Sequence, residues 1–370
     1  MFGPTHYLLW ARRFFGQTRF DLATSGITAP PASDLGFPSG ADLDDPCGWA
    51  RLREAIAAHN AVDVGEAIAA LGTSHALWMA YASLLEPGDD VLVEDPTYEP
   101  LLSAAKGVGA HVVRFERTRS ERFALDPERV ARAMTPRTRV IAITNLHNPS
   151  GARADGDALR ALAGVAASRG AFLLVDEVYA AFDSFVDTHG VFQGSARKLA
   201  PNVVTVSSLT KCYGLGTHRI GWLLGPRDVV QRAEHVVTAT CGMLPLSHSY
   251  IALRAFARIN DLALRSRSLL ADKRVVVDAW ARAQRLDWSA PAEGIFGFAI
   301  IPGAGDLTAT IEVAARDHEV LVVPGSFFGV PNGFRLAWSA PREVLDEGLR
   351  RLTEVLRDAV AQLSRSEGQR

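Results

Sequence analysis

The stretch Phe172-Leu173-Leu174-Val175-Asp176-Glu177-Val178-Tyr179 puts an aspartate at the tip of a fully apolar strand. Similar apolar runs recur on both sides of it. Strands are expected at Asp90–Glu94, His111–Phe115, Arg139–Thr144, Phe172–Asp176, Val203–Ser207 and Arg219–Leu224. Helical patterns fall between them at Ser74–Leu85, Tyr98–Gly107, Pro127–Met134 and Gly156–Ser168. This alternation, from about residue 67 to 225, implies an α/β fold with a mostly parallel central sheet and helices on both faces. Ligands of such sheets sit at the carboxyl ends of the strands. After about residue 226 the pattern changes. A long helical stretch from Ser247 to about Gln284 precedes a strand at Gly297–Ile301, a helix at Leu307–His318 and strands at Val320–Val323 and Phe334–Trp338. In the last helix Leu345, Leu349, Leu352, Leu356, Val360 and Leu363 are spaced by four or three, which buries one face. This part reads as a smaller α+β domain.

The chain of 370 residues is long for one domain and comfortable for two. A formal net charge of -2 removes any electrostatic argument for nucleic acid or an anionic membrane. The three cysteines, Cys47, Cys212 and Cys241, form no C-x-x-C pair, so neither a zinc site nor a disulfide framework is expected. The apolar stretch Tyr7 to Trp10 is cut off by Arg12-Arg13 and is too short for a signal-peptide core. The longest uncharged apolar stretch, Ala76 to Leu85, is half of a membrane span. A soluble, cytoplasmic protein without a metal site is expected.

The residues at the strand ends carry chemistry. Val203-Val204-Thr205-Val206-Ser207-Ser208-Leu209-Thr210-Lys211 feeds two serines and a lysine, and Arg219 follows eight residues later. A lysine in a dry pocket can lose its proton and act as an amine nucleophile. Serine hydroxyls and a guanidinium suit a phosphate. Leu71-Gly72-Thr73-Ser74 ends a strand and opens a helix, whose N-terminal amides bind phosphate. Tyr98 lies just past another strand, where it can stack on a planar ring, and Asn148 lies in a loop, where it can donate to a ring oxygen. Asp176 needs a cationic partner, which a protonated pyridine nitrogen supplies, and Tyr179 can reach the same ring. Each residue alone has a plainer reading: a surface lysine, a serine helix cap, a core tyrosine, an Asn-Pro turn. Amine, hydroxyls, guanidinium and carboxylate together suggest pyridoxal phosphate (PLP).

The set resembles the fold-type I PLP enzymes of the class I/II aminotransferase family over nearly the whole chain. The resemblance implies Lys211 as the Schiff-base lysine and acid–base group, and Asp176 as the pyridinium partner. It implies Asn148 and Tyr179 on the ring hydroxyl, Tyr98 as the stacking aromatic, and Thr73, Ser74, Ser208 and Arg219 as the phosphate cup. Arg335 resembles the arginine that forks onto the substrate α-carboxylate, and Gly26 the glycine whose backbone lies against it. It further implies an N-terminal arm at 1–35 belonging to the small domain, a PLP-binding large domain at 36–265 and a small domain at 266–370.

Amino acid and 2-oxo acid substrates and a homodimer follow as expectations, the dimer supported also by the apolar arm Phe2 to Trp10. Two departures stand out. Leu43 occupies the position where many members carry a tyrosine that reaches the partner subunit's phosphate, and Thr240 to Tyr250 lacks a second arginine for a dicarboxylate. The opening Asp21–Ile27 and the H-N-P-S-G loop are similar to a subgroup that includes capreomycidine synthase, which cyclises an arginine derivative, so lyase or cyclase chemistry stands beside transamination. A nicotinamide dehydrogenase is disfavoured because Gly214-x-Gly216 has Arg219 where a third glycine is needed. Regulators with an aminotransferase-like domain carry a DNA-binding domain upstream, for which a pattern beginning by residue 21 leaves no room.

Overall fold

A computed structural model describes residues 4–15, 17–31, 47–182 and 187–367, with side chains of the last helix up to residue 357. Leu43 lies outside the described residues. The chain opens with helix α1 (His6–Phe14) and the short strand β1 (Phe20–Asp21); α2 (Gly48–Asn60) then leads into the central sheet. That sheet contains β2 (Ala67–Leu71), β3 (Asp90–Asp95), β4 (His111–Glu116), β5 (Thr138–Thr144), β6 (Phe172–Asp176), β7 (Val203–Ser208) and β8 (Ile220–Leu224), in the order β2-β8-β7-β6-β5-β3-β4. All neighbours are parallel except β8, which runs antiparallel to both β2 and β7.

The continuous apolar runs arise because both faces of the sheet are covered. Leu174 packs on the side of α3 (Gly72–Leu84), α4 (Glu99–Gly107) and α7 (Arg227–Cys241). Its neighbours Leu173 and Val175 face α5 (Pro127–Ala133) and α6 (Gly156–Ala167). Strand direction then places the site. β2, β3, β5, β6 and β7 all end at one edge, so the residues that follow them meet there. The reversed strand β8 begins at that edge, which is why Arg219 precedes its strand while the other site residues lie at or beyond the ends of theirs.

The second unit differs from expectation in several places. The helical stretch Ser247–Gln284 is three helices, α8 (Leu246–Phe256), α9 (Ile259–Leu270) and α10 (Lys273–Ala283). The last break falls at Asp272, whose φ of 61° is left-handed and cannot continue a helix. After β9 (Asp287–Ser289), β10 (Phe296–Ile300) and α11 (Thr308–Asp317), the expected strand Val320–Val323 divides. β11 (Val320–Leu321) pairs in parallel with β1. β12 (Val323–Pro324) joins β13 (Gly333–Ala337) in an antiparallel sheet of order β12-β13-β10-β9.

The final helix, α12 (Arg342–Glu367), buries Leu345, Leu349, Leu352 and Leu356 as its spacing required; Val360 and Leu363 lie beyond the described side chains. Tyr7, Trp10 and Phe14 of α1 are also buried in one core with β10, β13 and α12, whereas Leu9 of the same helix stays 49% exposed. The described part of the apolar arm is thus covered only in part within the chain.

Candidate active site

Lys211 follows β7 after three residues, half-buried at the carboxyl edge of the sheet. Burial, then the nearby guanidinium groups of Arg335 and Arg219, lowers its amine to about 8. Asp176 ends β6 and is 3% exposed. Burial raises its carboxyl to about 7, against the backbone N–H of Val178, which donates to Oδ1 at 3.0 Å. Among the described residues no cation lies within ion-pair distance of this carboxylate. A buried acid without a cation is costly, and a ligand carrying a protonated ring nitrogen would remove the cost.

A cradle lies alongside. α3 begins without an acidic residue in its first turn and without a side-chain cap, which leaves its amides for an anion. Thr73 donates to Ser208 Oγ at 2.8 Å, and Ser208 shares a 2.6 Å bond with the Thr210 hydroxyl. Ser74 is exposed at the same helix end. The exposed Arg219 lays its guanidinium over Gly72 so closely that a Cβ there would come within 2.5 Å of Nη2. Gly72 also has a φ of 75°, so glycine is required twice over. Amides, hydroxyls and a guanidinium converging on one spot fit a phosphate, and Asp176 fits the ring that a phosphate here would anchor.

Arg335, on β13, is 1% exposed and crosses to the large sheet's residues. Its Nη1 donates to Asn148 Oδ1 at 2.7 Å, and its Nη2 donates to Tyr7 Oη at 3.1 Å and to the Ala23 carbonyl at 3.3 Å. The rings of Phe296, Phe328 and Tyr7 surround the guanidinium at 4.9, 5.4 and 5.8 Å. Among the described residues no carboxylate pairs with it. Tyr179 shares a 2.8 Å bond with Ser25 Oγ and packs edge-on to Phe296; burial pushes its phenol up. Gly26 borders the lysine, since a Cβ there would lie 3.8 Å from Lys211 Cδ, and Ile27 N–H donates to the Lys211 carbonyl at 3.2 Å. Tyr98 is half-buried with its ring edge-on to Tyr7 at 5.8 Å.

The residues singled out in the sequence therefore gather at one sheet edge. Three contributors were missed. Tyr7 and Phe296 reach Arg335, and Ser25 reaches Tyr179. Ser25 had a signal, its adjacency to Gly26; Tyr7 and Phe296 had none, because nothing in local spacing joins them to position 335. Two buried braces also went unread. His147 contacts Ser150 Oγ at 2.6 Å and Pro96 O at 2.9 Å, tying the loop after β5 to that after β3, and burial lowers its imidazole so that it stays neutral. Glu94 accepts from Thr144 N–H and Oγ1–H, each at 2.7 Å, and from Arg117 Nη1 at 2.7 Å.

A half-buried amine, a carboxylate with no cation partner among the described residues and an anion cradle at the carboxyl edge of an α/β sheet fit a PLP-dependent enzyme. The aminotransferase class I and II family model matches residues 39–352. Capreomycidine synthase of Streptomyces vinaceus is 30% identical over 367 residues, covering 94% of this chain and 92% of that protein. The aspartate/prephenate aminotransferase of Thermus thermophilus is 29% identical, over 84% of this chain and 82% of that one. A PLP-dependent aminotransferase from Streptococcus suis superposes with a TM-score of 0.86 at 25% identity, over 97% of this chain and 98% of that one. The chain belongs to the class I and II aminotransferase family, and its cofactor is pyridoxal phosphate.

Proposed function

We propose that this protein is an aminotransferase that moves an amino group between an L-amino acid and a 2-oxo acid. The observation that carries the reading is a neutralisable amine, Lys211, close enough to Arg335 and Asp176 for both to act on its charge, with no ion-pair partner for either of those two among the described residues. The roles follow from position. Thr73, Ser74, Ser208 and Arg219 would hold the phosphate. Asp176 would accept from the ring nitrogen and keep it protonated, Asn148 and Tyr179 would bond the ring oxygen, and Tyr98 would be the stacking aromatic. Arg335 would receive the α-carboxylate, with the Gly26 backbone beside it. The cofactor supplies an aldehyde for amine attachment and a ring that takes up the electrons left at Cα. Lys211, lowered to about 8, is neutral often enough near neutral pH to take the Cα proton and return it. We assign the activity to a cytoplasmic homodimer, with residues 36–265 as the cofactor domain and 1–35 with 266–370 as the small domain.

Borohydride reduction of the PLP form followed by peptide mapping should mark Lys211. A label on Lys106, Lys198 or Lys273 ends the assignment. Incubation with single amino acids, with products identified by mass, separates transamination from the second reading. The similarity to capreomycidine synthase favours that second reading, a lyase or cyclase using the same pocket. A 2-oxo acid formed without free ammonia supports transfer; a cyclised product or released ammonia supports the other.

A further inference from the structure

α1 carries a hydrogen-bond donor into the site. Tyr7 is 5% exposed, and its oxygen accepts from Arg335 Nη2 at 3.1 Å. An accepting phenol still has its own proton to give, and among the described residues no acceptor takes it. An unspent O–H beside a buried, unpaired guanidinium is the pair of groups that a carboxylate satisfies, one oxygen on each. Asn148 holds the other end of the guanidinium through Nη1, so Tyr7 and Asn148 flank the fork from opposite ends.

Tyr7 is placed there by another element. The N-cap of α1, Thr5, makes no side-chain cap bond. The Glu99 carboxylate, from the first residue of α4, caps the helix instead: it accepts from the His6 amide at 2.8 Å and from the Tyr7 amide at 2.6 Å. A carboxylate on a helix N-terminus is favoured by both hydrogen bonding and the helix dipole. Glu99 directly follows Tyr98, whose ring packs edge-on to that of Tyr7. One turn of chain thus sets both rings, while Trp10 and Phe14 hold the far end of α1 in the small core.

We infer that Tyr7 is a substrate-binding residue whose phenol donates to the same α-carboxylate that Arg335 receives, and that Glu99 is its positioning residue. The inference rests on Arg335 as the carboxylate fork. Tyr7→Phe keeps the ring packing and removes only the hydroxyl. With the amino acid that the product screen shows to turn over best, it should raise KM about tenfold, the worth of one hydrogen bond to a charged group. kcat should change less than threefold, and turnover of the matching decarboxylated amine should not change. The α-methyl analogue of that amino acid, which has no Cα proton to lose, should bind the holoenzyme about tenfold more weakly, as read by calorimetry. Glu99→Gln should shift both values the same way by a smaller factor.

If Arg335→Lys weakens the amino acid and its α-methyl analogue while Tyr7→Phe does not, the Tyr7 inference fails and the Arg335 reading survives. If Arg335→Lys leaves both unchanged, the carboxylate reading fails and takes the inference with it. Equal losses on the amine would reduce Tyr7 to a packing residue. A Glu99→Gln variant indistinguishable from wild type would remove Glu99 from the arrangement.

Discussion

Replacing Asp176 by asparagine should move stability and activity in opposite directions. In the cofactor-free protein the carboxyl of Asp176 titrates at about 7, raised from 3.8 chiefly by burial. A carboxyl whose folded value lies above its unfolded value favours folding fully only below the unfolded value, and that contribution is lost as pH rises through the folded one. The window therefore runs from near pH 4 to near pH 7. Roughly three decades of proton affinity at about 1.4 kcal/mol each make the ionised group cost about 4 kcal/mol at pH 8 and about 2 kcal/mol at pH 5.5. Asparagine is the same size and can still accept from Val178 N–H, so it escapes the cost. Denaturation of the PLP-free proteins should find Asp176→Asn more stable than wild type, with the advantage growing by about 2 kcal/mol from pH 5.5 to pH 8. Glu177, itself raised to about 7 by burial, is one of the charges that raise Asp176, so its repulsion is part of the cost that asparagine removes. With PLP bound, the variant should retain cofactor and lose most of its turnover, because an unprotonated ring is a poor electron sink. A variant less stable than wild type at pH 8 would refute the reasoning, since Asp176 would then already have a partner in the protein.

Arg335→Lys should weaken amino-acid substrates while sparing PLP binding, because a lysine keeps the charge and loses the planar fork; equal damage to simple amines would mean Arg335 serves the fold alone. Arg117→Met should destabilise the protein by about 3–5 kcal/mol in denaturant titrations by stranding the buried Glu94 carboxylate, and a change under about 1 kcal/mol would show that Glu94 is already neutral. Sedimentation of the PLP form at micromolar concentration should give twice the chain mass of 39.9 kDa; a fully active species at the single-chain mass would overturn the dimer.

Local pattern made the large sheet legible. β6 was read to the residue, and β3, β5, β7 and β8 to within one, because strands covered on both faces must be continuously apolar between their polar ends. The small unit was less legible. Its three helices follow one another with little interruption of apolar spacing, so only the backbone at Asp272 reveals the second break. The strand Val320–Val323 divided because its two halves serve different sheets, a choice made by the partners β1 and β13 and not by the tetrapeptide.

The sequence by itself determined the α/β class, the cofactor and the identity of the residues at the strand ends. Strand direction sends those ends to one edge, and the residue types name the chemistry. Only the tertiary structure decided who shares Arg335. Positions 7, 23, 148, 296 and 335 meet because α1 packs on the second unit while Glu99 of the first caps its end. Contacts between segments so far apart in the chain depend on how whole elements pack, and no periodicity within any one of them records it.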